Sequence, residues 1–339
     1  MKKESTNKQV SSAERVVAKF TEQMIQTIKD IKAGWRKAWI NTSANGLPMN
    51  LSGRAYNRMN EFFLYLFCEE KRFKYPVFVT LKRANELGAR ITKGAESAPV
   101  LFWKIDVRSK ADGKRIDIDD YRKMSRAEQD QYETFPILKY YNVFNIEQTT
   151  LQEVLQEKLE KFLKENFDKR DLPSLDGMYA NEALDTMILD QSWVCPITCE
   201  EQGQAYWSRS SDSITLPLKA QFNRGGTEDE IFVHGQEFYS TMLHEMTHST
   251  GAANRLNRKM GDRFGDNDYA REELVAELTA ALMGHKMGFN TKVQENNAAY
   301  LDSWLKALNE DPKFLISVLS DVSKAAAMIE QHIEIKEAV

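Results

Sequence analysis

Glu237-Phe-Tyr-Ser-Thr-Met-Leu-His-Glu-Met-Thr-His-Ser-Thr-Gly251 is the stretch that decides the fold. On a helix, His244 and His248 stand four residues apart and project from one face, so both imidazoles can reach a single Zn²⁺. Glu245, beside the first histidine, is placed to deprotonate a metal-bound water. The flanks support a helix. Phe238, Met242 and Leu243 form an apolar approach, and Gly251 stands where a C-terminal stop is expected.

A catalytic zinc site with an open position needs a third protein ligand. Tyr269-Ala-Arg-Glu-Glu-Leu-Val-Ala-Glu-Leu-Thr-Ala-Ala-Leu-Met283 reads as a second helix, with Asp268 as its N-cap and Leu274, Leu278 and Leu282 on one face. Glu273 and Glu277 are one turn apart. Glu273 is assigned to the metal and Glu277 to the outer N–H of a ligand histidine, with the reverse order open and Glu272 a weaker alternative ligand. The residues polarising a scissile carbonyl are not legible; Tyr239, His234 and His285 are the nearby suggestions.

Around this centre lie 339 residues with a net charge of −4. No apolar run approaches a membrane span, and the polar start lacks a signal-peptide core, so a cytoplasmic protein with no membrane partner is expected. Cys68, Cys195 and Cys199 support no disulfide framework and read as buried or incidental thiols. The charge is unevenly spread: residues 1–105 hold 19 Lys/Arg against 9 Asp/Glu, and the remainder holds 27 against 41. A basic, aromatic-rich N-terminal part suits an anionic polymer, whereas an acidic C-terminal part does not.

Along the chain, residues 11–32 carry an amphipathic stripe of Val16, Val17, Phe20, Met24, Ile28 and Ile31. A second helix is expected from Met59 to about Glu70. Strands follow at 75–81, 99–107 and 137–145, the last two separated by a charged excursion over 108–134, and residues 151–167 form a helix leading away. Residues 204–217 read as a hairpin, whose Ser213 to Leu216 could bind a peptide through main-chain hydrogen bonds. The tail over 296–333 is helical, with Tyr300, Trp304, Leu308, Leu315, Val318 and Val322 as core. The class is α+β in two domains, divided near Lys169–Pro173: 1–150, a linker helix over 151–172, and 173–339.

Gly34-Trp-Arg-Lys-Ala-Trp39, Ser52-Gly-Arg-Ala-Tyr56, Tyr140-Tyr-Asn-Val-Phe-Asn-Ile-Glu-Gln148, the hairpin, His244-Glu-Met-Thr-His-Ser-Thr-Gly251 and Glu272-Glu-Leu-Val-Ala-Glu277 follow one another as in ArdC-type antirestriction proteins. The chain resembles that family over nearly its whole length. The resemblance implies a small α+β single-stranded DNA-binding domain joined to a zincin-like metallopeptidase domain, carried on mobile elements, that protects transferred DNA from restriction. The same N-terminal domain accompanies plasmid primases, so a primase-associated accessory role is an alternative. A DNA-binding module with a non-catalytic zinc scaffold is another.

For single-stranded DNA, Arg36, Lys37, Arg54, Arg58, Lys82, Arg83, Arg90 and Lys93 are the expected phosphate partners, and Trp35, Trp39, Tyr56 and Trp103 the stacking faces. Phe62, Phe63, Phe67 and Phe78 are expected in the core. A peptide substrate is expected at the zinc site, and a monomer is favoured.

Overall fold

The structure is a computed structural model that describes residues 12–33, 47–56, 58–167, 176–261, 267–289, 300–311 and 313–333. The first half begins with α1 (Ser12–Lys32), β1 (Met49–Asn50), α2 (Arg58–Lys71), β2 (Val77–Val79), α3 (Leu81–Glu86) and β3 (Ala98–Ser109). It continues with β4 (Arg115–Ile116), α4 (Ile118–Lys123), α5 (Arg126–Gln129), β5 (Tyr132–Asn145), α6 (Leu151–Val154) and α7 (Gln156–Phe167). The five strands form one sheet in the order β1-β2-β5-β3-β4. Its spine is a long antiparallel ribbon in which β3 runs against β5 from Ala98↔Val143 to Ser109↔Tyr132. The charged excursion is thus the far end of this ribbon, held by β4 and two short helices.

Helix α2 is buried on two sides, which explains its run of aromatics. Leu64, Phe67 and Cys68 face the sheet with Phe78, Val100 and Val143. Phe62, Phe63, Tyr65 and Leu66 turn the other way, into the core of the second half. Asn60 fixes the contact by donating from Nδ2 to the Leu101 carbonyl at 2.7 Å and accepting the Leu101 N–H at 2.8 Å. The helical residues expected to lead away instead pack back, because Leu159, Leu163 and Phe167 close over Met49, Val77 and Val79. The expected boundary at Lys169–Pro173 lies outside the described residues.

The second half comprises α8 (Glu182–Asp190), β6 (Ile197–Glu200), β7 (Tyr206–Ser208), β8 (Ser213–Pro217), α9 (Glu228–Thr250), α10 (Asn267–Lys286), α11 (Leu301–Glu310) and α12 (Lys313–His332). Helix α9 starts on a capping box, in which Thr227 accepts from the Glu230 N–H and the Glu230 carboxylate returns to Thr227, and it stops at Gly251. Gly235 lets α9 touch the backbone of Tyr179: a Cβ there would stand 2.3 Å from the Tyr179 nitrogen. Helices α10 and α12 pack on α9, and the six aliphatic and aromatic core positions expected between Tyr300 and Val322 are all buried.

One expectation changes here. Strand β8 pairs with β6 on one side and β7 on the other, so Ser213 to Leu216 have no open edge for a peptide. The edge beside α9 is β7. The two halves also pack on each other: Val16, Phe20, Met24 and Ile28 of α1 lie in the same apolar cluster as Trp304, Leu308, Val318 and Val322. Phe20 stacks on Phe63, and Tyr65 of α2 packs edge-on against His285 of α10. Among the described residues no helix is long and apolar enough to cross a membrane.

Candidate metal centre and nucleic-acid face

Spacing four on α9 brings the two imidazoles together: His244 Nε2 and His248 Nε2 are 3.1 Å apart. Two ligands about 2.05 Å from a tetrahedral ion sit about 3.3 Å from each other, so this separation suits a shared cation. Helix α10 crosses α9 and supplies Glu273, whose oxygens lie 3.4 Å from His244 Nε2 and 3.6 Å from His248 Nε2. Ligand atoms of His244, His248 and Glu273 all fall within 4.8 Å of one another. The three side chains are nearly excluded from solvent. Four buried carboxylates, Glu245, Glu272, Glu273 and Glu277, surround these rings, with Arg258 as the buried guanidinium among them. That excess of negative charge is what a divalent cation would balance, so the donor set fits such an ion.

Both outer ring nitrogens face carboxylates of α10, but only that of His248 is within hydrogen-bond reach. Glu272 Oε1 lies 3.2 Å from His248 Nδ1, and Glu277 Oε1 lies 3.9 Å from His244 Nδ1. Glu277 thus lies on the outer side of His244 but too far to accept its N–H. Glu272, weighed above only as an alternative ligand, instead backs His248. Arg258 fixes Glu272 through Nε at 2.8 Å and Nη2 at 2.6 Å, and is itself held by Thr250 Oγ1 and the Thr247 carbonyl at 2.7 and 2.8 Å. Tyr269, one turn before Glu273, hydrogen-bonds the Glu273 carboxylate and packs against Tyr300.

Burial would lower the pKa of His244, but the carboxylates of Glu273, Glu245 and Glu277 outweigh it and raise the metal-free value to about 9. Conversely, burial would raise Glu273, and the two imidazoles bring it down to about 2. Glu272 is lowered too, because Arg258 and His248 overcome its desolvation. These shifts favour charge separation, a site in which cations and carboxylates are mutually dependent.

The hairpin reaches the centre through its edge. The Trp207 N–H of β7 donates to Glu245 Oε2 at 2.8 Å. Trp207 is positioned in turn by Asp212, which accepts from the Trp207 indole at 3.1 Å and pairs with Arg255, whose Nη1 also donates to the Ser249 carbonyl at 2.7 Å. Asp212 takes a positive φ of 48° at the hairpin turn, which a short polar side chain tolerates. The three residues suggested for carbonyl polarisation are engaged elsewhere. Tyr239 donates to Asp185, His234 Nδ1 accepts from the Arg224 N–H, and His285 packs edge-on against Tyr65 about three turns along α10 from Glu273. Arg258, Tyr269 and Trp207 were missed by sequence reasoning and carried no signal in spacing; Glu272 was weighed only as a ligand.

Of the expected DNA contacts, Trp35, Arg36, Lys37 and Trp39 lie outside the described residues, as does the side chain of Arg58. Lys82, Arg83, Arg90 and Lys93 are exposed on α3 and the loop after it, and Arg54 is exposed in the turn after β1. Tyr56 is half-buried beside Phe78 and Tyr141. Trp103 is 56% exposed, and the ribbon also exposes Phe102, Phe135, Tyr140 and Tyr141, which the sequence reading did not single out. Phe62, Phe63, Phe67 and Phe78 are buried as expected.

Comparison with known proteins agrees with both halves. Residues 14–144 match the family model for the N-terminal domain of anti-restriction factor ArdC, and residues 183–321 match that for a zincin-like metallopeptidase. The Mn(II)-bound crystal structure of the antirestriction ArdC protein from the R388 plasmid is 25% identical, with a TM-score of 0.64 over 96% of this chain and 99% of that one. Its metal-free structure is 26% identical, with a TM-score of 0.67 over 93% and 97%. A DNA primase TraC of Escherichia coli is 29% identical over 306 residues, 89% of this chain. The chain spans only 19% of that primase's length.

Proposed function

This chain is an ArdC-type protein, and on that premise we propose that it binds single-stranded DNA and carries a zinc-dependent peptidase centre that acts in protecting transferred DNA. The observation that carries the hydrolase reading is the convergence of His244, His248 and Glu273 on one point, with Glu245 adjacent. His244, His248 and Glu273 would hold the cation, and Zn²⁺ suits two imidazoles and a carboxylate; Mn(II) is named for the R388 relative. When bound, the ion supplies Lewis acidity to a water and to a substrate carbonyl. Glu245 takes a proton from the attacking water and delivers it to the leaving amine. Glu272 orients His248 by accepting from its Nδ1–H and keeps its inner nitrogen free of protons, while Glu277 places a negative charge on the outer side of His244. The edge of β7 offers main-chain hydrogen bonds to an extended peptide.

Glu245→Gln tests this reading. The variant should keep its metal content and melting temperature and lose peptidase turnover by about 10²–10⁴-fold, the usual contribution of a general base. Equal cleavage of an unstructured protein substrate by both forms would refute Glu245 as the base. One observation favours a second reading, in which the metal domain is a non-catalytic scaffold. The Trp207 N–H already occupies Glu245, and peptide binding along β7 must compete with that bond. Restriction protection that survives Glu245→Gln would support the scaffold. The primase relative supports a third role, holding template for priming, which a priming assay with and without the chain would test.

For DNA, the exposed cations Arg54, Lys82, Arg83, Arg90 and Lys93 and the aromatic ribbon support binding of an unpaired strand, since stacking needs bases that a duplex keeps covered. Tighter binding to duplex than to single strands would defeat this part.

A further inference from the structure

At the root of the ribbon lies a cavity of about 250 Å³ lined by Asn50, Leu51, Tyr56, Phe78, Arg83 and Tyr141, among others. Three of the lining residues are aromatic: Tyr56 meets Phe78 edge-to-face with ring centroids 6.2 Å apart, and Tyr141 forms the lip at 41% exposed. The volume is below the ~300–1,000 Å³ of pockets for drug-sized ligands, which matches a single ring system. Burial and the neighbouring Tyr141 raise the pKa of Tyr56, so its hydroxyl remains a neutral donor and acceptor.

The cavity opens onto one face of the ribbon. Residues opposite each other in an antiparallel pair share a face, so the register places Tyr141, Phe102, Lys139, Lys104, Ile137 and Phe135 on the same side. Phe102 and Tyr141 touch at 5.9 Å, and Arg108 lies 5.2 Å above the Phe135 ring. From Tyr141 to Phe135 this stripe is about 20 Å long. Its charges suit a polyanion: Lys104 and Lys139 are exposed, and the acidic Asp106 is buried and paired with Arg108 and Arg115. At the cavity itself, Arg83 pairs with Glu86 at 3.2 Å while remaining 58% exposed, and Arg54 is close enough to influence Tyr141.

We propose that this cavity receives one unstacked nucleobase of a single-stranded DNA whose neighbouring bases stack along Tyr141, Phe102 and Phe135. The inference rests on the single-strand reading above and deepens it by naming the subsite. An apolar aromatic slot with a hydroxyl inside and cations at its rim takes a planar heterocycle linked to phosphate.

The full chain is tested with an oligothymidylate, with an abasic oligonucleotide of equal length, and with a strand carrying one 2-aminopurine. Tyr141→Ala, at an exposed site, should weaken oligothymidylate binding by roughly 5- to 150-fold, leave the salt slope unchanged and have no effect on the abasic strand. Ser52 also lines the cavity and is exposed, so Ser52→Phe, which fills the rim, should give a similar loss. The measurement independent of any variant is acrylamide quenching of 2-aminopurine bound to the unaltered protein. One base shielded from quencher is expected when the probe occupies the slot. A bound strand with every base accessible, or wild-type affinity in both variants, overturns the subsite while leaving single-strand binding intact. Failure of the unaltered protein to prefer single strands over duplex overturns both.

Discussion

Removing Arg258 while leaving Glu272 in place would strand a carboxylate in a site where both side chains are only 3% exposed. Arg258→Met keeps much of the volume and deletes two hydrogen bonds to Glu272 and those to Thr250 and Thr247. Breaking one partner of a buried pair costs about 3–5 kcal/mol, a large share of the ~5–15 kcal/mol that holds a domain folded. The pH dependence identifies the cause. Burial would raise Glu272, but Arg258 and His248 hold it below the ordinary carboxylate value, so its favourable contribution is present above about pH 4.3 and is lost as pH falls through the depressed value. In Arg258→Met burial dominates and the folded pKa rises, so ionised Glu272 becomes destabilising above it. Urea unfolding at pH 7.5 and 4.5 should therefore show a penalty of about 3–5 kcal/mol that shrinks at the lower pH, and Glu272→Gln in the same background should recover part of it. A loss under about 1 kcal/mol at pH 7.5, or a larger loss at pH 4.5, would refute the argument.

Saturating metal should raise stability by about 2.7 kcal/mol at a hundred times its dissociation constant, and differential scanning calorimetry should show no such gain in His244→Ala. Although burial opposes it, the carboxylates raise metal-free His244 to about 9, above the ordinary histidine value; its contribution is present below about pH 6.5 and lost as pH rises through 9. Chelator-treated protein should then be less stable at pH 9.5 than at pH 6, as chemical denaturation would reveal, and a flat profile would contradict the assignment. Asn60→Ala should cost about 2–3 kcal/mol in urea unfolding, because it leaves the buried N–H and carbonyl of Leu101 without partners. Gly235→Ala forces α9 away from Tyr179, where a Cβ would meet backbone at 2.3 Å, and should lower the melting temperature well beyond the small gain in helix propensity; an unchanged or raised value would mean that the contact yields freely.

Where an inference depended on spacing alone, it was legible. His244 and His248 share a helix face whatever surrounds them, and the stripe of α1 marks its buried side without any tertiary information. Choosing among Glu272, Glu273 and Glu277 was harder, because three carboxylates within two turns differ only in which neighbour they meet, and the approach of α10 to α9 decides that. Arg258 sits in irregular chain with no periodicity to flag it. Alternation located the hairpin but not the strand order, so it could not distinguish an edge from the interior place that β8 takes. Phe102, Phe135 and Tyr141 look like core residues in the sequence, since an aromatic on a strand does not reveal whether its face is covered.

The core that joins α1 and α2 to α11 and α12 sets the order in which the molecule can be completed. Lys32 pairs with Asp302 across a separation of 270 residues, and the apolar stripe of α1 has its partners on helices made long after it. During translation at about 5–20 residues per second, the β3–β5 ribbon can pair while α1 must wait roughly 15–60 s for α11 and α12. Contacts this remote in sequence close slowly and leave apolar surface open meanwhile. A nascent chain arrested before Leu301 should therefore bind a hydrophobic chaperone that the finished protein does not.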